Sequence, residues 1–195
     1  RDLRGIRGLR IADMIRDTAE ELEYGIPQRM AGVEEISQDT EESTGTRNYD
    51  NQAAIVINSE GKDIFSLITS VLEDSIKAKI EGRKYDEQNC AYFGTPLKRP
   101  YLALGFIGKD TNNDEWYYWV YKGKLTGGKE KYQTENEGTD TTNLEWEYNS
   151  IYTSHKFRSA DNNPLKFYRM KAGGSVTEEE FFKEVFNPDT LTVNE

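Results

Sequence analysis

The sequence predicts a mainly β fold with a single helix packed on its flank, on three observations. Tyr101–Ile107 and Glu115–Tyr121 are apolar, aromatic and β-branched runs separated by a Gly/Asn/Asp tip, which is the pattern of a β-hairpin. Leu144, Trp146 and Tyr148 alternate with Glu145, Glu147 and Asn149, the period of a strand with one dry and one wet face. Between residues 62 and 81, Ile64, Ile68, Leu72, Ile76 and Ile80 recur at every fourth position, beside Phe65, Leu67 and Val71. That stripe predicts one long helix, from Ser59 and Gly61 to a glycine cap at Gly82.

Taken in order, the chain opens with Arg1, Arg4, Arg7, Arg10 and Arg16 against only Asp2 and Asp13. Gly5 and Gly8 weigh against a helix there, at roughly 1 kcal/mol each relative to Ala, and Leu9, Ile11, Asp13 and Ile15 alternate as a strand. Residues 1–16 are thus expected to be a basic N-terminal arm and first strand. The next segment reverses the charge: 17–42 holds nine carboxylates, among them Glu34, Glu35, Glu41 and Glu42, and one arginine. The 34–50 stretch is either an extended hairpin or a loop, and Ala53–Ile57 reads as a short buried strand.

In the central hairpin Trp116, Tyr118 and Val120 share one strand face and Tyr117, Trp119 and Tyr121 the other. Both faces need covering, so the strand is either central in a two-layer structure or packed on a partner subunit. Residues 123–142, rich in Gly, Lys, Glu and Thr and including Lys129 and Lys131, read as a long loop that orders on assembly. Leu165–Met170 gives one more strand. Thr177 and Glu180 form a capping box ahead of Phe181, Phe182, Val185 and Phe186, a short helix stopped by Pro188, within a C-terminal segment 171–195.

Length and composition bound the function. At 195 residues the chain is expected to form one domain, 1–195. A formal charge of −10 argues against nonspecific binding to nucleic acid or anionic membranes. No apolar run approaches the ~20 residues of a membrane span. The one cysteine, Cys90, cannot form an intramolecular disulfide.

The chemistry sought does not assemble. His155 is the only histidine and reads as a polar surface residue; without a second one, zinc sites and Cys-His pairs have nothing to build on. Asp110, Asn112 and Asp114 start like a calcium loop, but Glu115 stands where a glycine is needed and Tyr121 where a bidentate glutamate is needed, so an ordinary turn is expected. Glu145 and Glu147 sit on one strand face, which favours a solvated face over acid/base chemistry. No catalytic residue, cofactor or metal is assigned.

Gly8-Leu9-Arg10-Ile11-Ala12, Asp17-Thr18, Tyr24, Pro27 and Gly32-Val33 resemble the opening of the major tail tube proteins of long-tailed, non-contractile bacteriophages. Leu104-Gly105-Phe106, Tyr118 through Leu125 and Thr139-Asp140-Thr141-Thr142 resemble their middle. The resemblance runs from about residue 8 to about residue 170. It implies a β-sandwich or barrel of two packed antiparallel sheets with one flanking α-helix, an extended N-terminal arm and long loops. It also implies a structural virion protein whose hexameric rings stack into a tube through which DNA passes, assembled in the host cytoplasm without contact to membrane. Partners would be further copies and other tail proteins: tape measure, tail terminator and distal tail. Candidate subunit-interface residues are Arg4, Arg7, Arg10, Glu34, Glu35, Glu41, Glu42, Lys129 and Lys131, and candidate lumen residues are Glu145 and Glu147. A monomeric β-sandwich module binding carbohydrate through exposed Tyr and Trp is the alternative of a different class.

Overall fold

The structure is a computed structural model that describes residues 4–49, 52–130 and 143–191, with the side chains of 43–49 and 52–59 set aside. In chain order the strands are β1 Arg4–Asp17, β2 Leu22–Tyr24, β3 Gln28–Arg29, β4 Val33–Tyr49, β5 Gln52–Thr69, β6 Tyr85–Asp86, β7 Ala91–Tyr92, β8 Leu102–Lys109, β9 Glu115–Gly127, β10 Leu144–Ser150 and β11 Phe167–Lys171. Helix α1 covers Asp74–Glu81 and helix α2 covers Glu178–Lys183. Strands β6 and β7 pair with each other; all the others belong to one antiparallel sheet of order β2-β1-β8-β9-β10-β5-β4, with β3 on β1 and β11 on β9.

The fold is mainly β with a flanking helix, and the expected layers come from one sheet that curls. Strand β9 is the branch point. Its residues Trp116–Val120 pair with β11, and its residues Gly123–Gly127 pair with β10. β1, second from one end of the strand path, approaches β4 at the other end. Inside the curl lies a core of Leu9, Ile11, Phe65, Leu67, Leu104, Tyr118, Val120, Trp146 and Tyr148, closed by Leu72, Ile76 and Ile80 at and within α1. On the other side of β1, β8 and β9, the residues Ala12, Ala103, Ile107, Tyr117, Trp119 and Tyr121 are covered by Phe157, Phe181 and Phe182. The two faces of β9 divide between the cores as the alternation requires, and the partner for the second face is the chain's own C-terminal segment. The polar tips of these aromatics are satisfied: Trp119 Nε1 donates to the Phe181 carbonyl at 2.9 Å and Tyr121 Oη to the Phe186 carbonyl at 2.8 Å.

Several sequence expectations are corrected. The helix expected over 62–81 is strand β5 up to Thr69, and only Asp74–Glu81 is helical. Asp63, Phe65, Leu67 and Thr69 are buried in alternation, and a spacing of four serves a strand of period two as well as a helix. Of the two alternatives for the acidic 34–50 stretch the hairpin is found, since residues 34–49 lie in β4 and pair with β5, and Ala53–Ile57 lies inside the longer strand β5. The loop expected from Gly123 starts later, because β9 runs to Gly127 and Leu125 is fully buried in the first core. Residues 131–142, with Lys131, lie outside the described residues. The last strand begins at Phe167 rather than Leu165, and α2, capped by the Thr177–Glu180 box, ends at Lys183, before Pro188. His155 is buried, not on the surface: its ring stands edge-on to Phe157 at 4.8 Å and its Nε2 lies 4.0 Å from Asp189 Oδ2.

Strand β1 reaches its length by bulging twice. Gly5 and Gly8 have φ of 56° and 66°, and at each of them β1 gains one residue on β8. Left-handed backbone at a bulge is available to glycine at no steric cost. The two glycines that argue against a helix are therefore the residues that bend this strand over the core.

Candidate functional site

Directly paired residues of an antiparallel ladder lie on the same face, so the register assembles a surface from separate strands. Glu35, Ile68 and Glu145 form one row across β4, β5 and β10. Ser37, Ser66, Glu147 and Thr126 form the next, and Asp39, Ile64, Asn149 and Lys124 the third. Glu35, Asp39, Glu145 and Glu147 are exposed, and none of them has an ion-pair partner among the described residues. The one cation in these rows, Lys124, holds its ammonium 4.7 Å from the centre of the exposed Tyr101 ring. This side of the sheet is the one that, over β1, β8 and the first half of β9, is covered by Phe157 and α2. Among the described residues, one half of a continuous sheet face is therefore dry and covered, and the other half is open and acidic.

The sequence found Glu145 and Glu147 by their alternation. It missed Asp39, Ile64 and Ile68 as members of the same surface, since only the register between β4, β5 and β10 brings them there. Glu35, expected at a subunit interface, shares this face. Glu34 sits at a one-residue bulge of β4 and accepts a hydrogen bond from Asn143 Nδ2. Glu41 stands 3.9 Å from Lys62 Nζ, and Glu42 is exposed near the start of the free part of the hairpin.

The basic interface candidates are placed differently from one another. Arg4 is exposed at the start of β1. Arg7 is engaged within its own chain: its guanidinium donates to both carboxylate oxygens of Glu178 at 2.8 Å and reaches Glu115 at 3.2 Å, tying β1 to α2 and β9. Glu178 and Glu115 hold its pKa above the usual arginine range, and the Arg7 contact in turn lowers that of Glu178. Arg10 lies with its guanidinium carbon 4.2 Å from the centre of the Phe182 ring. Lys129 is exposed just past the end of β9. β1 and β4 come near each other, but among the described residues neither Arg7 nor Arg10 pairs with a carboxylate of β4.

Two buried ionic centres were not legible in the sequence. The Asp17 side chain, 5% exposed, accepts from Lys122 Nζ at 2.7 Å and from the amides of Ser154 and His155 at 2.8 and 2.9 Å. Burial opposes its ionisation, but Lys122 and the two amides outweigh that and keep its carboxyl below the ordinary range. Lys166, also buried, donates to Glu60 Oε1 at 2.5 Å, to the Gly61 carbonyl at 2.7 Å and to the buried Asp63 at 3.3 Å. These partners stand more than 100 residues apart in the chain, and no local pattern joins them. Asp110 is taken up by its own turn: Oδ1 accepts the amides of Asn112 and Asp114 and Oδ2 accepts Trp116 Nε1. Among the described residues no cluster of three or more metal-ligating side chains occurs, and no helix is long and apolar enough to cross a membrane.

The described residues thus form a mainly β subunit that presents an acidic sheet face on β4, β5 and β10. A family model described as phage tail tube protein matches residues 24–192, most of the chain. The chain therefore belongs to the phage tail tube protein family and has a structural role in the phage tail. Among curated proteins, none matches the chain.

Proposed function

We propose that the chain acts as one tube domain whose copies form hexameric rings, that the rings stack, and that the open acidic face of β4, β5, β10 and β9 lines the lumen through which DNA is delivered to the host. The carrying observation is that face, which no described residue covers, whereas Phe157, Phe181 and Phe182 cover the other half of the same sheet side. Duplex DNA presents one negative charge per ~1.7 Å of its axis, and a basic wall would hold it by counterion release. A wall bearing Glu35, Asp39, Glu145 and Glu147 repels it and lets it slide without sequence-specific contact. Arg4, Arg7 and Arg10, with Glu34, Glu41, Glu42, Lys129 and Lys131, serve contacts between subunits. Arg7 exchanges or shares its Glu178 and Glu115 partners when it does so. Tape measure, tail terminator and distal tail proteins meet the tube inside and at its ends, after assembly in the host cytoplasm.

Sedimentation velocity over a concentration series, followed by negative-stain microscopy of the fast fraction, tests this. Hollow filaments of constant width are expected; a monomer at every concentration and salt, or a solid filament, overturns the reading.

A further inference from the structure

The hairpin of β4 and β5 changes character along its length. From Asp63 to Thr69, β5 is paired on both edges, with β4 and with β10. From Gln52 to Lys62 its only strand partner among the described residues is β4, so Glu42–Tyr49 and Gln52–Glu60 form a two-stranded ribbon about 25 Å long that leaves the body of the sheet. At the point of departure the register slips: Thr40 pairs with Asp63 and Glu42 with Glu60, so Gly61 and Lys62 together oppose Glu41. A bulge interrupts the ladder, bends the strand and raises its local twist. The Lys166 ammonium meets the chain at this bulge, taking the Gly61 carbonyl at 2.7 Å, with Glu60 on the ribbon side at 2.5 Å and Asp63 on the body side at 3.3 Å. Tyr152 completes the grip: its hydroxyl donates to Glu60 Oε2 at 2.7 Å, and its ring lies 4.7 Å from Lys166 Nζ. The backbone of Lys166 is fixed in turn, since its carbonyl accepts the amide of the fully buried Tyr121 at 2.9 Å.

We infer that the ribbon is a hinged arm, with the bulge at Gly61–Lys62 as its hinge and Lys166 as the lock that sets its angle to the body. The carboxylates on the two sides of the bulge, Glu60 and Asp63, belong to segments that can turn relative to each other, and one ammonium holds both. The three donors of the buried ammonium are thus divided between the two sides of the bulge and the bulge itself. The lock sits immediately before β11, 103 residues from Asp63, so the arm's angle depends on β11 being docked on β9.

The test is made on the monomer and does not depend on assembly. Nitroxide labels are placed at Thr44→Cys on the ribbon and at Lys183→Cys on α2, in a Cys90→Ser background, and the distance distribution is measured by double electron–electron resonance. A single narrow distribution is expected for the otherwise unchanged chain. The double variant Lys166→Met/Asp63→Asn, which leaves no unpaired buried charge, is expected to broaden it at least about twofold, because a bulge without its lock no longer fixes the bend. Glu60→Ala, which spares the buried Lys166–Asp63 pair and changes an exposed side chain, is expected to broaden it in the same direction. If the double variant loses its native circular dichroism, Glu60→Ala decides. Equal widths in Glu60→Ala and the unchanged chain overturn the inference, as does a distribution already broad before substitution.

Discussion

Asp17 shows what one carboxylate does in this fold. It lies at the end of β1 and binds Lys122 of β9 together with the amides of Ser154 and His155, so it fastens the start of the C-terminal segment to the sheet. In Asp17→Asn the amide cannot replace an anion beside the Lys122 ammonium, whose side chain is only 14% exposed. A loss of about 3 kcal/mol is expected, the scale for breaking a buried pair from one side. Because the folded carboxyl is held below its unfolded value, its contribution is fully present above about pH 4 and fades as pH falls through the lowered folded value. Urea titrations over a pH series check this: the variant should be less stable at neutral pH, and its stability should fall less steeply in acid than that of the unchanged chain. A variant whose acid limb matches the original would show that Asp17 is not one of the groups behind it.

At the scale of elements, the C-terminus of α1 gives the sharpest local prediction. Gly82 caps the helix with φ 67°, and a Cβ there would fall 1.9 Å from the Lys98 carbonyl oxygen. Gly82→Ala therefore combines left-handed strain with a backbone clash and is expected to cost over about 2 kcal/mol. Gly94→Ala, with nothing within 4 Å of the added methyl, is the matched control expected to cost little; thermal melts of the two separate the cases. This cap was legible because glycine after a periodic run is a local signal, as were the central hairpin, the Leu144–Tyr148 alternation and the capping box of α2. The strand over 62–69, which the helix expected over 62–81 overran, was not, because two members of its buried face are polar and hide the period of two. Asp63 can be buried only because Lys166 reaches it, and Thr69 because its Oγ1 accepts Trp146 Nε1 at 3.1 Å. Both partners come from distant parts of the chain. The acidic surface was half legible for the same reason: Glu145 and Glu147 announce themselves by alternation, whereas Glu35 and Asp39 join them through pairing across β5.

At the scale of the whole molecule, one sheet does two jobs on one side. Its β1–β8–β9 half is sealed by the chain's own Phe157, Phe181 and Phe182, and its β4–β5–β10 half carries four exposed carboxylates without an ion-pair partner among the described residues. Covering the first half internally leaves the second half free to face a common axis when copies assemble. If that half is the lumen, Glu35→Lys/Glu145→Lys/Glu147→Lys should still form tubes, since in the proposed assembly these side chains point into the lumen. The tubes should however retain duplex DNA at low salt, with an affinity that falls steeply as salt rises, because a basic wall binds phosphate by counterion release. Cosedimentation of DNA with preformed tubes over a salt series measures it, against the unchanged tubes, which should retain almost none. Equal retention by both would remove the acidic face from the lumen. A triple variant that folds but no longer assembles would instead place the same face in a contact between subunits.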